Sequence, residues 1–183
     1  MAAATTLPVH GANRGDRLPA ALLIDGFGNG AHARDAAPDL KVAGHTIRPR
    51  DESLDTTRAF VHRTLRAWHV DTLADDVALV VTELVTNALR HGVRARGSAA
   101  SVDVSLYGTA SRLMCVVSDP SDEVPVRLTP DLSHGSGRGL QIVEALSMYW
   151  GWTTRERDDG TPGKSVWAVF TLDGVGREQK KAG

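Results

Sequence analysis

Glu83 and Asn87 stand four residues apart inside an otherwise apolar stretch, VVTELVTNALRHG, which runs from Val80 to Gly92. A carboxylate can take a proton or orient a hydroxyl, and a carboxamide oxygen can ligate a hard cation. Successive helical residues turn by about 100°, so positions four apart lie about 40° from each other, one turn along the axis. By the same arithmetic Arg90 falls within about 20° of Glu83 on the other side. The three make one polar stripe, while Val77, Val81, Leu84, Val85 and Ala88 face elsewhere. Alone, such a stripe describes an ordinary solvated helix face.

Two later features supply it with company. Asp119 ends an apolar strand and enters a loop, a place where a carboxylate is available to a ligand. Gly135-Ser136-Gly137-Arg138-Gly139 then leads directly into helical spacing that starts near Leu140. Glycines ahead of a helix N-terminus expose backbone N–H groups, and the helix dipole there favours anions, so a phosphate chain fits. A second run, GFGNG at Gly26 to Gly30, lacks the spacing and the following helix for that role and reads as a plain loop.

The elements that must position these residues follow from periodicity. HTIRP reads as a short edge strand ended by Pro49. Leu54, Ala59, Phe60, Leu65 and Trp68 suit an amphipathic helix opening near Ser53. Thr72 is a candidate N-cap for the next helix, with Asp75 and Asp76 in its first turns and Gly92 closing it. SVDVSLYG and RLMCVVSD are strands joined by a hairpin turn, the first alternating and the second almost continuously apolar. A long Pro-, Gly- and Asp-rich loop precedes the helical LQIVEALSMYW. GWTTRERDDGTPGKSVWAVFTL then gives strand, turn and strand. The order predicts an α/β architecture of the α+β two-layer kind: a mixed, mostly antiparallel sheet with helices on one face. A doubly wound parallel sheet would need regular strand–helix alternation.

Composition bounds the rest. The 183 residues allow one ordinary domain, read as residues 45–173, with a Gly-, Ala- and Asp-rich N-terminal extension (1–44, with one short strand at Leu22 to Ile24) and a charged C-terminal tail (174–183). A formal net charge of −1 gives no electrostatic pull toward nucleic acid or an anionic membrane. The one cysteine, Cys115, excludes an internal disulfide and reads as inert core. The apolar run Leu18 to Ile24 is too short for a membrane span and has no convincing cleavage site after it, so the expected location is the cytoplasm. The seven histidines show no metal-ligand spacing. Trp150, Trp152 and Trp167 are expected to pack the helix–sheet layer or a dimer surface, and Lys164, opening a strand after a turn, is expected to be solvated.

Over about His45 to Leu172 the chain resembles the GHKL superfamily, the histidine-kinase-like or Bergerat ATPases. Glu83-Leu84-Val85-Thr86-Asn87-Ala88 with His91 is similar to the family's Asn-containing helix box. Asp119 resembles the aspartate of its first glycine box, and Gly135 to Gly139 resemble the second, in the ATP lid. Within the superfamily the chain looks most like the small, stand-alone anti-sigma-factor serine/threonine kinases of bacteria. Two helices precede the first long strands without a sensor, receiver or transducer domain, and GRGLQIVEAL followed by GKSVWAVF resembles that branch's ending.

The resemblance implies ATP and Mg²⁺ as cofactors. Asn87 would ligate Mg²⁺, and Glu83 would act as general base, or orient the attacking hydroxyl, for γ-phosphoryl transfer to a protein serine or threonine. Asp119 would accept a hydrogen bond from the adenine amino group. Gly137 and Gly139, with Gly135 and Leu140 beside them, would bring the lid backbone to the phosphates, and Arg138 would offset their charge. Arg90 and His91 would reach the same pocket. The implied partners are a sigma factor and its antagonist (anti-anti-sigma) protein, with a homodimer, no direct nucleic acid and no membrane.

One departure bears on the base. The family places glycine two positions after the aspartate, whereas this chain reads Asp119-Pro120-Ser121-Asp122. Proline lacks an N–H donor and serine resists positive φ, so the loop beneath adenine is expected to take a different path. That motivates an alternative, a non-catalytic ATP-responsive binding module. A two-component histidine kinase fits poorly, because His62 and His69 are followed by Arg63 and Val70 where an acidic residue is usual.

Overall fold

The computed structural model of the protein describes residues 40–48, 54–93, 101–121, 123, 125, 138–156 and 162–172. The expected strand at Leu22 to Ile24, the GFGNG run, Gly135, Gly137, most of the long loop and the C-terminal tail lie outside the described residues.

The first element is a strand, β1 (Lys41–Ile47). It is the expected edge strand, but it starts at Lys41, inside the stretch whose composition suggested an extension to about Gly44. Helix α1 (Leu54–Ala67) buries Thr57, Phe60, Val61 and Leu65. Spacings of three and four put these on one face. The expected stripe is corrected at two positions, since Leu54 and Ala59 are exposed.

A 3₁₀ turn (Asp71–Leu73) leads into α2 (Ala74–Asn87). Thr72 is not the N-cap: it lies within the 3₁₀ turn, and the cap residue is Leu73, with no side-chain bond. The tight turn replaces the cap, because the Ala74 N–H donates to the Asp71 carbonyl, while Asp75 and Asp76 still face the positive end of the dipole. The α-helix proper ends at Asn87 and widens into a π turn (Ala88–Val93).

Strands β2 (Val102–Gly108) and β3 (Arg112–Asp119) form the expected hairpin. Helix α3 (Gly139–Leu146) is shorter than its apolar spacing suggested. Ser147 is extended and its hydroxyl donates to the Val143 carbonyl at 2.6 Å, so Tyr149 and Trp150 open the next strand instead. Among the described residues, strands β4 (Tyr149–Glu156) and β5 (Pro162–Thr171) complete a five-stranded open sheet of order β1-β2-β3-β5-β4, in which every ladder is antiparallel.

The helices pack on one face of this sheet. Leu113, Cys115 and Val117 of β3, with Val166, Ala168 and Phe170 of β5 and Trp152 of β4, join Val61, Leu65, Val77, Val81 and Leu84 in the main core. Met114, Val116, Trp167 and Val169 form a second buried cluster on the opposite face. The central strands are thus buried on both sides, which is why RLMCVVSD reads as a continuous apolar run while edge-proximal β2 alternates. Trp150 and Trp152 pack with the helix layer as expected; Trp167 does not, and lies on the other face. No helix among the described residues is long and apolar enough to cross a membrane.

Candidate functional site

Glu83 and Asn87 are both half-buried on α2, on the turn opposite the fully buried Val77, Val81 and Val85. Two threonines beside them are satisfied inside the helix: Thr82 donates to the Ala78 carbonyl at 2.6 Å and Thr86 to the Thr82 carbonyl at 2.7 Å. Such bonds tend to bend helices, and here the helix widens one residue after Asn87. Stripe arithmetic based on α geometry therefore stops at Asn87. Arg90 and His91 lie on the π turn and are exposed, so the structure does not continue the polar stripe to Arg90 as a half-buried wall.

The N-terminus of α3 comes down on this pair. A Cβ built on Gly139 would lie 2.8 Å from Glu83 Oε2, 3.3 Å from Asn87 Nδ2 and 3.7 Å from Asn87 Oδ1. Real Cβ atoms essentially never approach a heavy atom that closely, so this seat admits only glycine without a shift. Arg138 caps the helix exposed and in α-conformation, its carbonyl accepting from the Ile142 N–H at 3.0 Å, and Leu140 is buried in the core behind. Two sequence features separated by some fifty residues thus meet: a carboxylate and carboxamide from α2, and the backbone end of α3, where anions are favoured. These are the chemical requirements of a metal–triphosphate site, an oxygen ligand for a hard cation beside free N–H groups.

Asp119 closes β3 on the helix-facing side, in phase with Leu113, Cys115 and Val117. It is 1% exposed. Its Oδ1 accepts from Lys164 Nζ at 3.0 Å and from the Ser121 N–H at 2.9 Å. The second bond closes an Asx turn over Pro120, and the Ser121 hydroxyl in turn accepts from the Glu123 N–H at 3.0 Å. Among the described residues only His69 combines a side chain with positive φ, so Ser121 is not forced into a glycine conformation. The Pro-Ser pair thus makes a turn held by side-chain capping.

Lys164 corrects the expectation of a solvated side chain. It is 5% exposed and faces Asp119 directly across the β3–β5 ladder. The signal was available: Lys164 shares its parity with Val166, Ala168 and Phe170, the apolar phase of β5. The neighbouring pair, Ser118 and Ser165, points the other way and shares a 2.7 Å hydroxyl hydrogen bond. Cys115 is fully buried, and burial pushes its thiol up to about 12, consistent with inert core.

An open antiparallel sheet with helices on one face, a polar pair on the central helix and a glycine-led helix end seated on it define the class. Residues 47–170 match the histidine kinase-like ATPase domain, more than half of the 183-residue chain, and the protein belongs to that family. No curated protein matches the chain. Membership supports ATP binding and an activity of the ATPase or kinase type.

Proposed function

We propose that the protein is an ATP-dependent serine/threonine protein kinase of the anti-sigma-factor type, working on an antagonist protein and controlling transcription through partner binding. The observation that carries the reading is the seat of Gly139 on Glu83 and Asn87, because it puts the only acid–base group of the stripe at the helix end suited to phosphates. In this reading the Asn87 carboxamide oxygen holds Mg²⁺, which supplies charge neutralisation along the triphosphate. The backbone at Gly135 to Gly139 holds the phosphates, with Arg138 offsetting charge from its exposed position and Arg90 and His91 at the pocket rim. The acceptor hydroxyl oxygen forms the new bond to phosphorus, ADP leaves with the electrons of the broken bond, and the hydroxyl proton passes to the Glu83 carboxylate. Asp119 accepts from the adenine amino group at the far end of the site.

The same reading takes the protein as a cytoplasmic homodimer with a sigma factor and an antagonist as its partners. The test is affinity capture with and without Mg-ATP, followed by incubation of captured proteins with labelled ATP and mass spectrometry for phosphoserine and phosphothreonine. Transfer to a captured protein is the expected result. Absence of transfer to every candidate overturns it.

The capped Asp119-Pro120-Ser121 turn favours a second reading, a non-catalytic module whose partner affinity is switched by ATP. In that case Glu83→Ala leaves partner regulation intact. Loss of regulation with ATP binding preserved rejects it.

A further inference from the structure

The Asp119–Lys164 pair is more than charge compensation for a buried carboxylate. An ammonium carries three N–H donors. Among the described residues Lys164 spends one, on Asp119 Oδ1 at 3.0 Å, although its side chain is only 7% exposed. Two donors remain in a place almost closed to water, and a buried ammonium with unmade hydrogen bonds is costly. The pair lies on the helix-facing side, at the end of the strand on which α2 and its π turn pack. On the opposite face the Ser118–Ser165 hydrogen bond fixes the register at this same end. Lys164 is therefore held beside Asp119 on the helix-facing side, with donors left over.

We infer that Lys164 is a base-reading residue: Asp119 and Lys164 together present an acceptor and a donor side by side, matching the amino group and ring N1 of adenine. The inference rests on the nucleotide reading above. A carboxylate alone senses only the 6-amino group. With Lys164 beside it, the floor of the pocket also donates to N1, which satisfies one of the two spare N–H groups.

Three Mg-nucleotides test this on the full chain by calorimetry: ATP, 1-deaza-ATP (a C–H in place of N1), and purine riboside triphosphate (a hydrogen in place of the amino group). The wild type is expected to bind 1-deaza-ATP about 10- to 100-fold more weakly than ATP, the range for a hydrogen bond to a charged donor. Lys164→Met is expected to bind ATP and 1-deaza-ATP equally, both at the weakened level. Equal loss for the two nucleotides would show that Lys164 only supports the fold. Should Lys164→Met fail to fold, the wild-type comparison decides by itself, since ATP and 1-deaza-ATP binding within about twofold overturns the inference. Binding that ignores all base changes leaves the ATP reading standing and removes this one; no binding of any of the three removes both.

Discussion

Gly139 rests on Glu83: a methyl group at Gly139 would lie 2.8 Å from the Glu83 Oε2 atom. The contact joins the first residue of α3 to the middle of α2, and the partner it would disturb is the far end of a flexible side chain. Gly139→Ala should therefore move the carboxylate while sparing the core. The expected outcome is a thermal midpoint within a few degrees of wild type, with phosphoryl transfer reduced at least about tenfold by a displaced Glu83. Differential scanning calorimetry and a transfer assay on the same preparation check it. Unchanged transfer in a folded variant would show that the seat is not used.

Glu83 and Asn87 are one turn apart but are assigned different work, so their variants should separate. Glu83→Gln keeps shape and one acceptor oxygen and removes the base. It should bind Mg-ATP within about threefold of wild type and lose about 10²- to 10⁴-fold in transfer rate. Asn87→Ala should lose the Mg²⁺ dependence of nucleotide affinity. Titrating each with ATP, with and without Mg²⁺, distinguishes the two effects.

On the other face of the sheet, a Cβ at Gly151 would lie 2.5 Å from Trp167 Cζ2. Trp167 is 5% exposed and its ring is rigid, so little can yield. Gly151→Ala should cost about 1–3 kcal/mol in urea unfolding, as over-packing does, and Trp167→Leu in the same chain should recover part of that loss. Nucleotide affinity should stay within about twofold of wild type, because the residue lies on the face away from α2 and α3.

The Cys115 thiol, raised by burial from 9.0 to about 12, makes a pH prediction. A group whose pKa is higher in the folded than in the unfolded chain contributes its stability below the unfolded value and loses it as pH rises through the folded one. Stability should accordingly be flat in this respect below pH 9.0 and fall toward pH 12, by up to about 4 kcal/mol, with other alkaline titrations added on top. Cys115→Ala, though weaker overall, should show a shallower decline in chemical denaturation across that window. A thiol reagent at pH 8 should leave native Cys115 unmodified.

Much of this was legible in the residues. Strand β3 and strand β5 announced themselves by apolar content, and the Glu83–Asn87 spacing survived because α geometry holds through Asn87. The arithmetic stops short of Arg90 because the backbone changes pitch at Ala88, just after the Thr82 and Thr86 back-bonds. The position of Lys164 after a turn suggests a solvated side chain, whereas its parity with Val166 and Ala168 points inward; the carboxylate that makes its burial tolerable lies 45 residues away. Thr72 is a good capping residue that goes unused, because the 3₁₀ turn already supplies the bond. The approach of Gly139 to Glu83 is a long-range contact, and nothing local in GSGRG discloses it.

The β3–β5 ladder pairs Asp119 with Lys164 at one end and Arg112 with Thr171 at the other. Everything between those strands, including Gly139 and β4, is enclosed by that pairing. During synthesis the helices α1 and α2 and the β2–β3 hairpin emerge first, whereas the Lys164 half of the ion pair with Asp119 leaves the ribosome only with β5. A nascent chain stopped short of β5 holds Glu83, Asn87 and Gly139 but lacks the Asp119–Lys164 ion pair. If the pair reads the base as proposed, nucleotide binding to stalled chains of increasing length should appear only once β5, the last strand among the described residues, has emerged.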